Sequence, residues 1–184
     1  MKKLVVIALV ALPLFACSKK KEGGGENQKP VETKPKEPEK PIELTETADL
    51  GAAIKDADDT SLKGVKVKVP AGAKTETGLT GVVVRIGERQ AYELSKAYEA
   101  GAHVPKVKKE AQEDTLDKVV KFHIDTPEAI LWESKSELGG DNNFHFAAEV
   151  KVGDTAYKCF NTGYGNFTKT QAEALLKSCQ SVTK

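Results

Sequence analysis

The chain has 184 residues and an almost balanced charge, with 28 Lys and Arg residues against 27 Asp and Glu residues. This length favours one domain with appendages. A balanced charge creates no field that would attract nucleic acid, and aromatic residues, at 6% of the chain, offer few platforms for stacked bases. We therefore expect no nucleic-acid partner.

The N-terminal segment, residues 1–16, has the three parts of a secretory signal peptide. Lys2 and Lys3 form a basic start, an apolar run follows from Leu4 to Leu14, and Phe15-Ala16 precedes a cysteine. The run is too short to span a bilayer as a permanent helix. The pattern predicts a signal peptide that ends at residue 16.

The segment Leu14-Phe15-Ala16-Cys17 resembles the lipobox of bacterial lipoproteins. The resemblance implies cleavage before Cys17, a diacylglyceryl group on its sulfur and an acyl chain such as palmitate on its amine. Two or three acyl chains give stable attachment to a membrane. Ser18 is not acidic, which implies, for a Gram-negative cell, that the protein faces the periplasm from the outer membrane. The membrane is then a partner through the lipid on Cys17.

Residues 17–45 are predicted to be a disordered tether rich in Lys, Glu and Pro. Such a composition prefers extended, solvated conformations and cannot bury a core. At about 3.1 Å per residue, some 25 residues would reach on the order of 75 Å. We expect the tether to hold a domain of residues 46–184 away from the membrane.

The beginning of this domain is ambiguous in sequence. Ala48–Ala57 could form a short helix, and the acidic run Asp56–Asp59 resembles the start of a calcium loop. An EF-hand loop needs glycine at its sixth position and glutamate at its twelfth, where this chain has Ser61 and Val67. An acidic helix end or loop is therefore the preferred interpretation, and we expect no metal there.

From residue 64 onwards, apolar residues alternate with polar ones, which predicts half-buried strands. Polar Val104–Glu113, with Val107 and Ala111 on one side, predicts a surface helix, and Thr126-Pro127-Glu128 predicts a turn. The predicted strands before the last hairpin are Val65–Val69, Val82–Ile86, Ala91–Lys96, Val120–Ile124 and Ala129–Ser134.

The C-terminal third has the clearest pattern. The pattern predicts a β-hairpin, in which apolar and polar residues alternate over Phe144–Val152, Gly153-Asp154 forms a two-residue turn, and Thr155–Asn161 is the returning strand. Thr168 and Gln171 have the spacing of a capping box at a helix start. The apolar side chains that fall on one face of this helix are Ala172, Leu175, Leu176, Cys179 and Val182.

Two cysteines remain once lipid modifies Cys17. In an exported domain, the pair Cys159 and Cys179 more often forms a disulfide than two free thiols. No Cys-x-x-Cys pair or nearby histidine completes a tetrahedral metal site. The bridge would attach the last helix to the preceding strand and close a loop of about 20 residues.

The predicted fold is α+β, an antiparallel sheet covered by helices, with the C-terminal helix held by a disulfide and a disordered tether in front. This layout over residues 64–183 resembles the sandwich of the photosystem II extrinsic (PsbP-like) proteins. The resemblance depends on two segments, Val65–Gly72 and Ser178–Val182, and on the strand that leads into the last helix. It implies a binding or assembly factor, and it assigns no functional residue.

We find no pattern that predicts catalysis or a cofactor. His103, His123 and His145 lack the short spacings of metal ligands. Gly163–Thr168 follows a strand and opens a helix, but Thr168 replaces the third glycine of a dinucleotide-binding loop and the strands are antiparallel. Gly139–Asn143 is a turn by composition, which could bind a cation or a partner as an exposed loop.

The sequence favours a non-enzymatic envelope lipoprotein of binding or assembly type, with an envelope protein as its candidate partner. The alternative is a periplasmic lipoprotein that binds a small ligand or an ion between sheet and helices. A deep pocket lined by Trp132, Tyr157 or His145 would favour this alternative, and a closed interior would disfavour it.

Overall fold

The computed structural model describes residues 39–54, 61–162 and 166–184, which form mostly antiparallel β-sheet with two α-helices. The predicted α+β class is confirmed in these terms. Several predictions concern segments outside the described residues. These segments are the signal peptide, Cys17, the tether as far as residue 38, the acidic run Asp56–Asp59 and the start of the Gly163–Thr168 loop. Within these ranges, no helix combines the length and the apolar character needed to cross a membrane.

The nine strands of the described residues form two sheets, and two α-helices accompany them. The strands are β1 (Glu46–Asp49), β2 (Lys66–Val69), β3 (Lys74–Thr77), β4 (Val82–Arg85), β5 (Ala91–Lys96), β6 (Asp117–Asp125), β7 (Ala129–Ser136), β8 (Asn143–Val152) and β9 (Thr155–Asn161). The helices are α1 (His103–Glu113) and α2 (Lys169–Gln180), and Gly51–Ala53 forms one 3-10 turn. Strands β1 and β2 form a pair, and the larger sheet has the order β3-β4-β5-β9-β8-β7-β6 with antiparallel neighbours throughout.

Side chains on successive positions of β7 enter two different clusters. Leu131 packs in the larger cluster, which also contains Phe146 of β8 and Leu175 of α2. Ile130 and Trp132 pack instead in a smaller cluster with Val104 of α1 and Ala147 of β8. Because side chains alternate along a strand, the two helices contact opposite faces of β7. The smaller cluster is the one next to the candidate site.

Several local predictions for the C-terminal third are confirmed. Val152 pairs with Thr155 across the two-residue turn, in which Gly153 has a φ of 60° that glycine adopts without strain. Thr168 and Gln171 form the reciprocal capping box at the start of α2. All five predicted apolar side chains of the last helical segment are buried.

The predicted disulfide between Cys159 and Cys179 is present, and both cysteines are completely buried. It joins β9 to the last turn of α2, with the two Cα atoms 6.2 Å apart. The bridge therefore attaches the final helix to the middle of the sheet.

The structure corrects the prediction of a helix over Ala48–Ala57. Glu46–Asp49 is strand β1, paired with β2, and a single 3-10 turn follows, so no α-helix begins among the described residues of this segment. The pairing leaves Leu50 fully buried, and its backbone amide donates to the carbonyl of Val65. The helix propensity of this short segment is outweighed by pairing with β2, because the backbone N–H and C=O groups along the edge of β2 then form hydrogen bonds.

Two further differences concern strands. Lys74–Thr77 was not predicted as a strand because it has no apolar residue, yet it pairs with β4 at the edge of the sheet. Strand β6 has two register shifts, so Val120 is 54% exposed, and Phe122 and Ile124 pack in different clusters. The alternation predicted over Val120–Ile124 is therefore broken by β-bulges.

Candidate functional site

A crevice lies between α1 and the face of the sheet that carries Trp132. It has two adjoining compartments, of about 230 and 360 Å³, which share Val107, Glu110, Trp132 and His145 as lining residues. The larger compartment is within the range of volumes found for ligand sites. This crevice is the candidate functional site.

The composition of α1 explains why space remains under the helix. Its apolar stripe consists of Val104, Val107 and Ala111, and only Val104 is fully buried. Small side chains at the other two positions do not fill the distance to the sheet. The helix thus packs tightly at its N-terminal end and leaves Trp132 and His145 as the floor of a crevice further along.

His145 is held in this floor by three contacts. Its ring stacks on Trp132, with the ring centres 5.1 Å apart and the planes 21° from parallel. Its Nε2 lies 2.9 Å from Ser134 Oγ, and its Nδ1 lies 3.3 Å from Asn161 Nδ2. Asn161 Oδ1 accepts a hydrogen bond from the Phe146 amide at 2.9 Å, which fixes the orientation of the side-chain amide.

These contacts determine the direction of each hydrogen bond. Because the oxygen of Asn161 already faces a backbone amide, its NH₂ group donates to Nδ1 of His145. In the neutral imidazole, the proton is then on Nε2, which donates to Ser134 Oγ. Ser134 is only 1% exposed, and its own hydroxyl proton stays available for an acceptor in the crevice.

A serine, a histidine and an asparagine in contact are also the residue types of a nucleophile, its base and an orienting group. In a catalytic arrangement, the histidine nitrogen next to the serine accepts the hydroxyl proton, and the other nitrogen donates. In this site, both hydrogen bonds of His145 run in the reverse direction. The geometry therefore suits recognition of a hydrogen-bond acceptor by Ser134.

Both histidines of the crevice have lowered pKa values. Burial lowers the pKa of His145 below its ordinary value of 6.5, while the carboxylates of Asp117 and Asp114 act against the shift. Burial also lowers the pKa of His103, with Lys158 in the same direction, against a hydrogen bond to the Cys159 carbonyl. Both imidazoles are therefore neutral at pH 7.

This shift makes stability depend on pH in a definite direction. In the unfolded chain these histidines take up protons as the pH falls through 6.5, whereas in the folded chain they do so only at lower pH. The unfolded state then binds more protons, so the free energy of unfolding falls with pH below 6.5. We expect the urea midpoint to decrease from pH 7.5 to 5.0, and His145→Gln to reduce that decrease.

The lowered pKa values of Asp114 and Glu133 affect stability at lower pH than those of the histidines. Amides of Asp117 and Leu116 lower the pKa of Asp114, and contacts with Asn142 and His123 lower that of Glu133. A carboxylate with a lowered pKa stabilises the folded state, and this stabilisation is lost only as the pH falls below the ordinary pKa values of 3.8 for Asp and 4.5 for Glu. A urea midpoint that stays constant down to pH 5.0 in the wild-type chain would contradict the assignment of neutral buried histidines.

The N-terminus of α1 is held by a side chain from the sheet. Ala102 at the cap position has no side-chain acceptor, and Glu149 of β8 supplies one instead. Its Oε1 accepts from the Gly101 amide at 2.5 Å, and its Oε2 accepts from the His103 amide at 3.4 Å. The carboxylate also interacts favourably with the positive end of the helix dipole.

Removing this cap should loosen one wall of the crevice. We expect Glu149→Ala to lower the free energy of unfolding by about 1 kcal/mol, because helix N-cap acceptors contribute this much. Urea denaturation measures the change, and Lys151→Ala on the same strand is the matched control. Equal effects of the two substitutions would show that Glu149 has no capping role.

The crevice contains two of the three side chains that the sequence suggested for a pocket. Trp132 and His145 line it, whereas Tyr157 is fully buried in the larger cluster on the other face. His123 is also elsewhere, 3.1 Å from Glu133 and next to the Phe144 ring. In the described part of the chain, no three His, Cys, Asp or Glu residues are arranged to hold a metal ion.

Sequence reasoning missed Ser134, Asn161 and the contribution of Val107. The available signal was a polar residue on an apolar face, since Ser134 follows Ile130 and Trp132 at inward positions of β7. The turn between β7 and β8 begins earlier than predicted, because the Gly139 amide donates to the Ser136 carbonyl at 3.1 Å and Asn143 is already the first residue of β8. Gly139 and Gly140 both have positive φ.

The chain was compared with known families, curated proteins and solved structures. No family model, curated protein or solved structure matches it. The PsbP-like layout and the lipoprotein family therefore stay predictions from the residues alone.

Proposed function

We propose that the protein is a lipid-anchored bacterial envelope lipoprotein whose domain binds a small organic ligand in the crevice between α1 and the sheet. In this proposal, lipid on Cys17 attaches the chain to the membrane, residues 17–45 act as a spacer, and helices α1 and α2 cover the two faces of the sheet. The observation that carries the proposal is the crevice floor of Trp132 and His145.

Three properties of the crevice support binding. Its floor offers aromatic surface, which contributes much of the affinity of small ligands. It also contains a few fixed polar groups, of which Ser134 offers a donor and Asn161 is held in one orientation. A fixed, neutral His145 fits a positioning role better than proton transfer, because its tautomer is set by Asn161.

The ligand part of the proposal can be tested on protein purified from its own membranes. We expect native mass spectrometry to detect a bound small molecule on the wild-type chain. Val107→Phe places a larger apolar side chain in both compartments and should eliminate the bound species. Gln112→Phe introduces the same side chain at an exposed position of α1 and should retain it.

The anchor part of the proposal predicts an all-or-none result. Cys17→Ala removes the sulfur that would receive the diacylglyceryl group, so we expect no incorporation of labelled palmitate and accumulation of an uncleaved precursor. Metabolic labelling with immunoprecipitation measures both. Normal labelling and cleavage of the variant would refute the lipid anchor.

An envelope protein partner is the second candidate, favoured by exposed apolar side chains. Leu79 is 99% exposed and Tyr98 is 100% exposed, and Tyr98 shares a shallow cavity with Thr80. Cross-linking in cells, with the Cys17→Ala chain as comparison, tests this candidate. Capture of one defined protein by the wild-type chain, lost in Tyr98→Ser, would support it.

A further inference from the structure

The two ends of the crevice carry opposite charges. The larger compartment includes Lys106 and Lys158 in its lining, with Glu110 as its single acidic residue. The smaller compartment includes Glu110, Asp114 and Asp117, and no lysine or arginine. Among the described residues, the Asp117 carboxylate forms no ion pair.

The charges of α1 strengthen this polarity. Its first turn contains no acidic residue and its last turn contains no basic one, and Asp114 follows at the C-terminal end. This distribution is the reverse of the one that stabilises a helix dipole. Glu149 offsets part of the positive N-terminal end by accepting from the Gly101 and His103 amides. Lys106, whose Nζ lies 3.9 Å from Glu110 Oε1, and Lys158 are the lysines of the larger compartment.

The two compartments share the apolar side chains of Val107 and Trp132 and the polar side chains of Glu110 and His145. Val107 and Trp132 supply apolar surface, and Ser134 lies in the same lining. Because Ser134 Oγ accepts from His145 Nε2, its hydroxyl proton is directed to another acceptor, and no such acceptor is found among the described residues. A carbonyl oxygen of a bound molecule would satisfy this nearly fully buried group.

The length of α1 sets the distance between the charged ends. Lys106 and Asp114 are eight positions apart in sequence, which corresponds to about 12 Å along a helix. A single amino acid cannot join two ends this far apart. An extended peptide advances about 3.3–3.6 Å per residue, so three or four residues place an ammonium and a carboxylate at the required separation.

We propose that the crevice binds a short peptide of three or four residues with free ends and an apolar middle. The amino end lies near Asp114 and Asp117, the carboxylate lies near Lys106 and Lys158, and Ser134 donates to a peptide carbonyl. This inference rests on the proposed function, because it names the ligand class of the same crevice.

The test uses the fluorescence of Trp132, which is the only tryptophan in the sequence. Ala-Leu-Ala and Ala-Leu-Leu-Ala are titrated into the purified full chain in detergent micelles, beside versions with an acetylated amino end or an amidated carboxyl end. We expect each blocked end to weaken binding about tenfold, since hydrogen bonds to charged groups are strong.

Two variants locate the ends. Asp117→Asn should remove the preference for a free amino end and keep the preference for a free carboxylate. The double variant Lys106→Gln/Lys158→Gln should lose the preference for a free carboxylate and keep the preference for a free amino end. Thermal denaturation checks that Asp117→Asn and the double variant are folded. Both substitutions alter exposed or half-exposed side chains, so the core stays intact.

Equal affinity for free and blocked peptides, or no binding of any peptide, would overturn the inference. The proposed function is judged separately, by whether the bound small molecule is lost from Val107→Phe and retained on Gln112→Phe. A non-peptide molecule found on the Gln112→Phe chain would refute the peptide class and leave the binding function in place.

Discussion

Replacing Cys159 and Cys179 together by alanine is expected to lower the free energy of unfolding by about 3 kcal/mol. The two cysteines are 20 residues apart in sequence, and a cross-link that closes a loop of this size restricts the unfolded chain by that amount. Both side chains are completely buried, so the loss of two sulfur atoms from the core adds to the effect.

Urea denaturation of the double variant measures this change. The wild-type chain, unfolded and treated with a reductant, should have nearly the same urea midpoint as the double variant. Any difference between the two midpoints should reflect only the sulfur atoms that the variant lacks. Helix α2 keeps Leu175 and Leu176 in the core, and its capping box is unaffected. An unchanged midpoint in both experiments would mean that the bridge contributes nothing to stability.

Gly81→Ala is expected to destabilise the domain by about 3 kcal/mol, at the upper end of the range for overpacking. A Cβ atom at this position would lie 2.0 Å from the Leu94 carbonyl oxygen and 2.7 Å from Ser95 Cβ. The nearest atoms belong to the backbone of β5, so the strand itself would have to move. The carbonyl of Gly81 also accepts from the Gly78 amide in the turn before β4.

The matched control is Gly139→Ala. A Cβ atom there meets nothing within 4 Å, although the φ of 91° makes alanine unfavourable. We expect this control to cost about 1–2 kcal/mol through the backbone conformation alone. Thermal or urea denaturation compares the two, and a smaller loss for Gly81→Ala than for Gly139→Ala would contradict the close approach of β5.

The parts of the fold that the sequence predicted are those set by local interactions. The turn at Gly153-Asp154 and the capping box of Thr168 each depend on a few neighbouring residues, and α2 has a regular apolar stripe. The disulfide was predicted because disulfides are common in exported domains, and because Cys159 and Cys179 both lie on the predicted core faces of their strand and helix. These signals do not require knowledge of distant partners.

The parts that escaped prediction depend on long-range partners. Strand β3 has no apolar residue and is a strand only because β4 offers its edge, and Glu46–Asp49 forms β1 only because β2 does. The bulges of β6 likewise follow from its pairing with β7. Alternation alone cannot reveal them, since each requires the register of a second strand.

The crevice escaped prediction for a related reason. Trp132 and His145 were recognised as candidates, but their contact is a cross-strand pair between β7 and β8. Asn161 reaches them from the end of β9, and α1 contributes small side chains whose effect is to leave space. No spacing in the sequence brings these four elements together.

We expect the crevice between α1 and the sheet to bind a small molecule. The most direct measurement is the fluorescence of Trp132 while the small-molecule fraction of the cell envelope is added to the ligand-free chain. We predict a saturable change for the wild-type chain and for Gln112→Phe, and none for Val107→Phe. An identical response of Val107→Phe, or no response of the wild-type chain, would contradict the claim.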